Sequence, residues 1–253
     1  MTYFAHSENS LGTKHELRDH LVQTAQRTKA FAPAESWREC FYLAGLLHDA
    51  GKFQDGFQEY LEKGKPRTPH AGIGSYLASM LGKECIPHQF AIQGHHAGLH
   101  NNEERQQNNK DYSEEEELVA VVRQRLEKFF PDALTAEKYQ LPNEGLQLEC
   151  LTRILFSALT DADWLDTEDH FSPEKSGARP TTTLDCNRLL SSLESKFAQL
   201  PAEGKINKLR TKCAQRSYST FCRTSGFLFT SVAYRFRKNS HFGVLGLVAC
   251  ATT

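Results

Sequence analysis

The chain has 253 residues, enough for one sizeable core or a core plus an appendage. Hydrophobic residues at 39% and charged residues at 24% fit a globular protein and exclude a disordered or fibrous chain. The formal net charge of -1 hides an asymmetry: nine of the 30 Lys and Arg, and none of the 31 Asp and Glu, follow Gly204. A basic tail of this kind is one signal of nucleic-acid contact. No apolar run approaches the roughly 20 residues of a membrane helix, so no membrane partner is expected. The N-terminus lacks a basic-then-apolar signal pattern, and the seven cysteines form no Cys-x-x-Cys pair. A reducing, cytoplasmic location is the expectation.

Most of the chain reads as helix. Leu17, Leu21, Val22 and Ala25 recur at helical spacing within residues 16–31. Residues 37–47 are apolar nearly all round, which predicts a buried helix. Shorter helices are predicted over 53–61, 72–81 and 86–93. The polar stretch 101–111 reads as a mobile loop. Ser113-Glu114-Glu115-Glu116 has the form of a capping box, and its acids suit a solvated helix start, with the helix running to Phe129. Residues 146–165 form another buried helix, 172–183 a loop, and 184–200 and 206–221 two amphipathic helices. The fold class is all-α, with one core.

His48-Asp49 closes an apolar helical run and is followed by Ala50-Gly51-Lys52. A neutral imidazole beside a carboxylate is a ready pair of metal ligands. The dipeptide alone is weak; its company is not. His20, His70, the pair His95-His96, and Asp163 within Asp161-Ala162-Asp163-Trp164 all lie on other apolar segments. Asp49 has two oxygens and could bridge two ions. His20, His48 and Asp163 would complete one shell, and His70, His95 and His96 the other. Two such ions, about 3.5–4 Å apart, can clamp a phosphodiester and activate water. Adjacent residues on a regular helix point about 100° apart, so His95-His96 is expected at a helix end, where Gly94 and Gly98 permit a kink. Lys52 could steady a phosphate or be solvated. Asp161 and Asp166 read as capping or supporting acids. His6, His15, His88, His100, His170 and His241 read as ordinary surface or core histidines, with His6 and His100 the first exceptions.

Together, Tyr3-Phe4-Ala5-His6-Ser7, Leu17-Arg18-Asp19-His20-Leu21, Leu46-Leu47-His48-Asp49-Ala50-Gly51-Lys52, Thr68-Pro69-His70-Ala71, Gly94-His95-His96-Ala97-Gly98-Leu99 and residues 159–168 carry a resemblance. The chain resembles the HD superfamily of metal-dependent phosphohydrolases, and within it the HD nuclease domain of the type I CRISPR nuclease–helicase. The stretches span about residues 1–225. The resemblance implies an HD-domain helical bundle with a metal site in its core. It further implies cleavage of single-stranded DNA in antiviral defence, with a CRISPR RNA-guided surveillance complex and a helicase chain as partners. By the family pattern His20, His48, Asp49, His70, His95, His96 and Asp163 are the ligands. Asp49 and Lys52 are the catalytic pair, Lys52 lying beside the phosphate. Ala97 departs from the Gly the family often has. Asp163, rather than Asp161, occupies the Ala-Asp-Trp position that the family uses. A His-rich shell suits Fe2+, Mn2+, Co2+, Ni2+ or Zn2+ better than Mg2+. Two rival readings stand beside this one: an HD phosphohydrolase of nucleotides or cyclic nucleotides, which would need a closed pocket, and an inactive binding remnant of a truncated gene.

Residues 226–253 are expected to be a tail distinct from the nuclease domain. The family usually continues into a helicase opened by a Gly-Lys-Thr phosphate loop, which this chain lacks. Back-translation of Ala233 to Ser240, read one nucleotide later, permits Pro-Thr-Gly-Ser-Gly-Lys-Thr. A frameshifted remnant of the helicase start is the expectation, and the gene's codons decide it.

Overall fold

A computed structural model describes residues 2–64, 66, 68–135 and 145–179, with scattered positions between 188 and 212. The chain divides into two compact units, Met1–Arg179 and Pro180–Thr253. The helices expected over 184–200 and 206–221, and the tail from 226, lie wholly or largely outside the described residues.

The first unit is helical, as the patterning requires. The main helices are α1 (Leu17–Ala30), α2 (Arg38–Leu47), α3 (Asp55–Lys63), α4 (Ala71–Ser79) and α5 (Ile86–Gly94). They are followed by α6 (Asn102–Glu114), α7 (Glu116–Phe129), α8 (Gly145–Phe171) and α9 (Pro173–Gly177). Leu21, Ala25, Phe41, Ala44, Leu47, Ile73, Leu77, Ile92, Leu155 and Leu159 are fully buried and form one apolar core. Burial of such side chains stabilises a fold by about 1.5–3 kcal/mol each. α1 packs on α2 and α8, α5 on α4 and α8, and α2 on α8, so the helix ends that carry His20, His48 and His95 lie beside the long α8. Close approach requires small residues: a Cβ at Gly45 would lie 2.5 Å from Cα of Ala25 on α1.

Besides the short α9 at Pro173–Gly177, inside the stretch expected as a loop, two larger features depart from the sequence reading. A short antiparallel hairpin, β1 (Phe4–His6) and β2 (His15–Glu16), precedes α1. Gln58 of α3 bonds both Phe4 backbone groups, accepting from the N–H and donating to the carbonyl, each at 3.0 Å. The hairpin thus docks beside the core. The second departure is residues 101–111, which form α6 instead of a loop. The Asn101 side chain accepts from the Glu104 N–H, and Glu104 accepts from the Asn101 N–H, both at 2.9 Å. That reciprocal capping box starts the helix. Its polar face then holds the body: Arg105 and Asn109 both donate to Gln89 Oε1, and Asn108 donates to the Gly72 carbonyl. Ser113 is no cap; it lies inside α6, and α7 starts after Glu115 without a side-chain cap.

Candidate metal centre

The apolar run of α2 ends at Leu47, and the chain passes through His48 and Asp49 into a 3₁₀ turn, Ala50–Phe53. Both side chains are fully buried. His70 immediately precedes α4, and His95 immediately follows α5. The double histidine therefore stands at a helix end, as expected, and Gly98 follows at φ +100° in the left-handed region. His20 comes from α1 and Asp163 from α8.

The two oxygens of Asp49 face different groups. Oδ2 lies 3.1 Å from His20 Nε2, 3.3 Å from His48 Nε2 and 2.6 Å from Lys52 Nζ. Oδ1 lies 3.2 Å from His70 Nε2, 3.5 Å from His95 Nε2 and 4.0 Å from His96 Nε2. Asp163 Oδ1 adds to the first group, 3.5 Å from His20 Nε2 and 3.6 Å from His48 Nε2. The seven residues expected as ligands thus fall into two sets sharing Asp49: His20, His48, Asp49, Asp163, and Asp49, His70, His95, His96. Asp161 is exposed and takes no part.

The arrangement fits cations. Each inward Nε2 is set by what the other ring nitrogen does. Nδ1 of His48 donates to the Gly45 carbonyl at 2.7 Å, and Nδ1 of His95 to the Ile92 carbonyl at 2.6 Å. Nδ1 of His20 donates to Asp166 Oδ2 at 2.7 Å. Ring nitrogens then confront one another, His20 Nε2 with His48 Nε2 at 3.2 Å and His70 Nε2 with His96 Nε2 at 2.9 Å. Asp49 Oδ1 and His95 Nε2 are buried without a hydrogen-bond partner among the described residues. Buried polar atoms without partners are costly, and a cation within each set would satisfy the nitrogens and oxygens that face it.

Lys52 is nearly buried. Its ammonium pairs with Asp49 Oδ2 and donates to the Ala5 carbonyl of β1 at 3.2 Å. The helix does not continue past His48; the 3₁₀ turn instead folds Lys52 back onto Asp49. Burial works against the charge of Asp49, but Lys52 and His48 outweigh it and hold the carboxyl well below its usual range. Burial likewise opposes the charge of His48, yet Asp49 and Asp163 hold its pKa up at about 10. Asp163 is lowered despite burial, chiefly by His48. Burial and the neighbouring His95 push His96 down to about 3. Ligation by His48 requires its inward proton to leave.

Sequence reasoning set His6 and His15 aside, with His6 flagged as an exception. The structure places both against His20: ring centroids lie 4.9 Å and 5.3 Å from it. Burial, reinforced by Lys52 and His20, lowers His6 to about 2. Burial and His20 lower His15 to about 4. His100 instead pairs with Glu104 on α6, away from the centre. Asp166 supports His20, as a supporting acid should.

The HD domain family model matches residues 17–129. The match contains His20, His48, Asp49, Lys52, His70, His95 and His96, and ends before Asp163. No curated protein matches the chain. The match supports an HD domain over residues 17–129, a kind of domain that suggests metal-dependent phosphohydrolase chemistry, and the buried His/Asp cluster fits a divalent metal site. Among the described residues no helix is long and apolar enough to cross a membrane.

Proposed function

We propose that the protein is a metal-dependent nuclease that cleaves single-stranded DNA in type I CRISPR interference. The observation that carries the reading is the two-sided Asp49, whose oxygens face separate histidine sets within one buried cluster. Such a carboxylate suits a pair of ions flanking a phosphodiester. The chemistry supplied by bound divalent ions is polarisation of a phosphoryl oxygen and activation of a water. His20, His48, Asp49 and Asp163 would hold one ion, and Asp49, His70, His95 and His96 the other. The Nδ1 bonds of His20, His48 and His95 orient the rings before anything binds. Lys52 contributes a fixed positive charge beside Asp49. His96 is the one partly exposed member, its side chain 37% accessible, so the second set is the side open to an incoming strand. The sequence resemblance in residues 3–7, 94–99 and 159–168 supports the DNA substrate, with a surveillance complex and a separate helicase chain as partners. Fe2+, Mn2+, Co2+, Ni2+ and Zn2+ suit the donor set best.

The experiment is incubation of the metal-loaded chain with labelled single-stranded DNA, blunt duplex and a nucleotide panel, with and without ATP. Cleavage of the single strand alone, independent of ATP and weakened by salt, is expected. Hydrolysis confined to nucleotides would favour a nucleotide phosphohydrolase, and no turnover of any substrate would favour a silent binding remnant. ATP-stimulated degradation of duplex would contradict a nuclease that depends on a separate helicase chain.

A further inference from the structure

We infer that His6, His15 and His20 form a third cation position, next to the Asp49 cluster and coupled to it through His20. Each of the three offers a ring nitrogen, and the three atoms lie within 4.8 Å of one another. Nitrogens bound to one ion at about 2.1 Å lie at most about 4.2 Å apart, so small side-chain rotations close the set. The scaffold is built rather than accidental. His6 and His15 are paired across the β1–β2 hairpin, and His20 lies on the first turn of α1. The hairpin is pinned by Leu17 N–H donating to the Tyr3 carbonyl at 2.8 Å and by Lys52 donating to the Ala5 carbonyl.

The donor chemistry points the same way. Nδ1 of His15 is buried with no hydrogen-bond partner among the described residues. Asp166 Oδ2, already 2.7 Å from His20 Nδ1, lies only 3.6 Å from His15 Nε2 and supplies the counter-charge. His20 has one nitrogen for each side: Nε2 toward Asp49, Nδ1 toward Asp166. An ion taking Nδ1 releases that nitrogen's proton to solvent, and Asp166 passes from accepting this proton to balancing the ion. Three imidazoles and a carboxylate suit a borderline divalent ion such as Zn2+, Ni2+ or Cu2+. His6 and His15 are only partly buried, which leaves an approach from solvent. Because His20 is shared, excess metal should disturb the first set of the Asp49 cluster.

The test uses chelator-stripped full chain and Zn2+. Equilibrium dialysis with metal counted by atomic emission should give one ion fewer per chain for the His6→Ala/His15→Ala double variant than for wild type. Equal numbers would overturn the proposal. Wild type labelled with 15N-histidine provides a second readout. Zn2+ added beyond saturation of the tighter sites should move the ring-nitrogen resonances of His6 and His15, and resonances that stay fixed would overturn it. The same shifts should persist in His95→Ala/His96→Ala, which cripples the other centre. Their loss there would show that His6 and His15 form no site of their own.

Discussion

Asp166 accepts the Nδ1 proton of His20 at 2.7 Å across 146 residues of sequence, joining α8 to α1 behind the metal cluster. This bond fixes which nitrogen of His20 faces Asp49, and it makes that nitrogen more basic. Asp166→Ala should therefore weaken binding of divalent metal about 10- to 100-fold while the helical fold persists, since partners that orient a ligand carry that much affinity. Competition against a chromophoric chelator measures it. An affinity within twofold of wild type would show that His20 is oriented by packing alone.

Asp49 and Lys52 cannot be treated one at a time. Asp49→Ala removes the carboxylate shared by both ligand sets and should abolish hydrolysis. It also leaves the Lys52 ammonium, 4% exposed, without its counter-charge and with only the Ala5 carbonyl to accept from it. Breaking a buried pair from one side costs about 3–5 kcal/mol. The single variant should thus be both inactive and markedly less stable, and Asp49→Ala/Lys52→Met should recover much of the stability but no activity. Urea unfolding with a chelator present reads the first effect and a phosphodiesterase assay the second. A stable Asp49→Ala chain would mean that the pair contributes little to the fold.

The sequence exposed the apolar helices because their side chains recur every three to four residues, and α1, α2 and α5 lie within a few residues of where Leu21, Leu47 and Ile92 put them, while α8 runs on past the expected 165 to Phe171. It also pointed to the residues that the fold gathers into two sets around Asp49, because His48-Asp49 had the company of His20, His70, His95-His96 and Asp163 on separate segments. It hid α6, whose helix is held by Asn101, Arg105, Asn108 and Asn109 through polar bonds that leave no hydrophobic period. It hid the cluster of His6 and His15 for another reason. That cluster exists only because a two-strand hairpin pairs them and α1 brings His20 alongside, and neither short strand has enough residues to show alternation. The supporting part read for Asp166 fits its place in the chain: it lies three positions after Asp163, and i, i+3 residues share a helix face.

His88 offers a pH dependence away from the metal cluster. It is fully buried, and its Nε2 donates to the Cys40 carbonyl at 2.9 Å. Burial lowers its pKa to about 4 from the ordinary 6.5. Between those values the unfolded chain binds a proton that the folded chain refuses. The contribution is complete above pH 6.5 and is lost as pH falls toward 4, amounting to about 3 kcal/mol. His88→Gln should lower stability at pH 7.5, yet flatten its fall between pH 6.5 and 4 by that amount. Urea midpoints at half-unit intervals in chelator provide the comparison. Parallel curves for the two proteins would show that His88 does not titrate in this window.

Gly51, in the turn after His48-Asp49, is a tight constraint on the centre's shape. A Cβ built there would lie 2.1 Å from the His70 carbonyl oxygen and 2.8 Å from its carbonyl carbon, both backbone atoms. Contact that close cannot be relieved by a rotamer change; either the turn or the His70 backbone must move. Overpacking of this kind costs typically about 1–3 kcal/mol, and more where only backbone can yield. The displacement also falls on His70, whose Nε2 stands 3.2 Å from Asp49 Oδ1. Gly51→Ala should therefore lower both stability and affinity for the ion of the second set, without removing any ligand. Gly145→Ala, where a Cβ meets nothing within 4 Å, is the control and should change neither. Thermal unfolding together with metal titration distinguishes the cases. If Gly51→Ala matches the control in both, then the turn and His70 are not in the close contact that shapes this pocket.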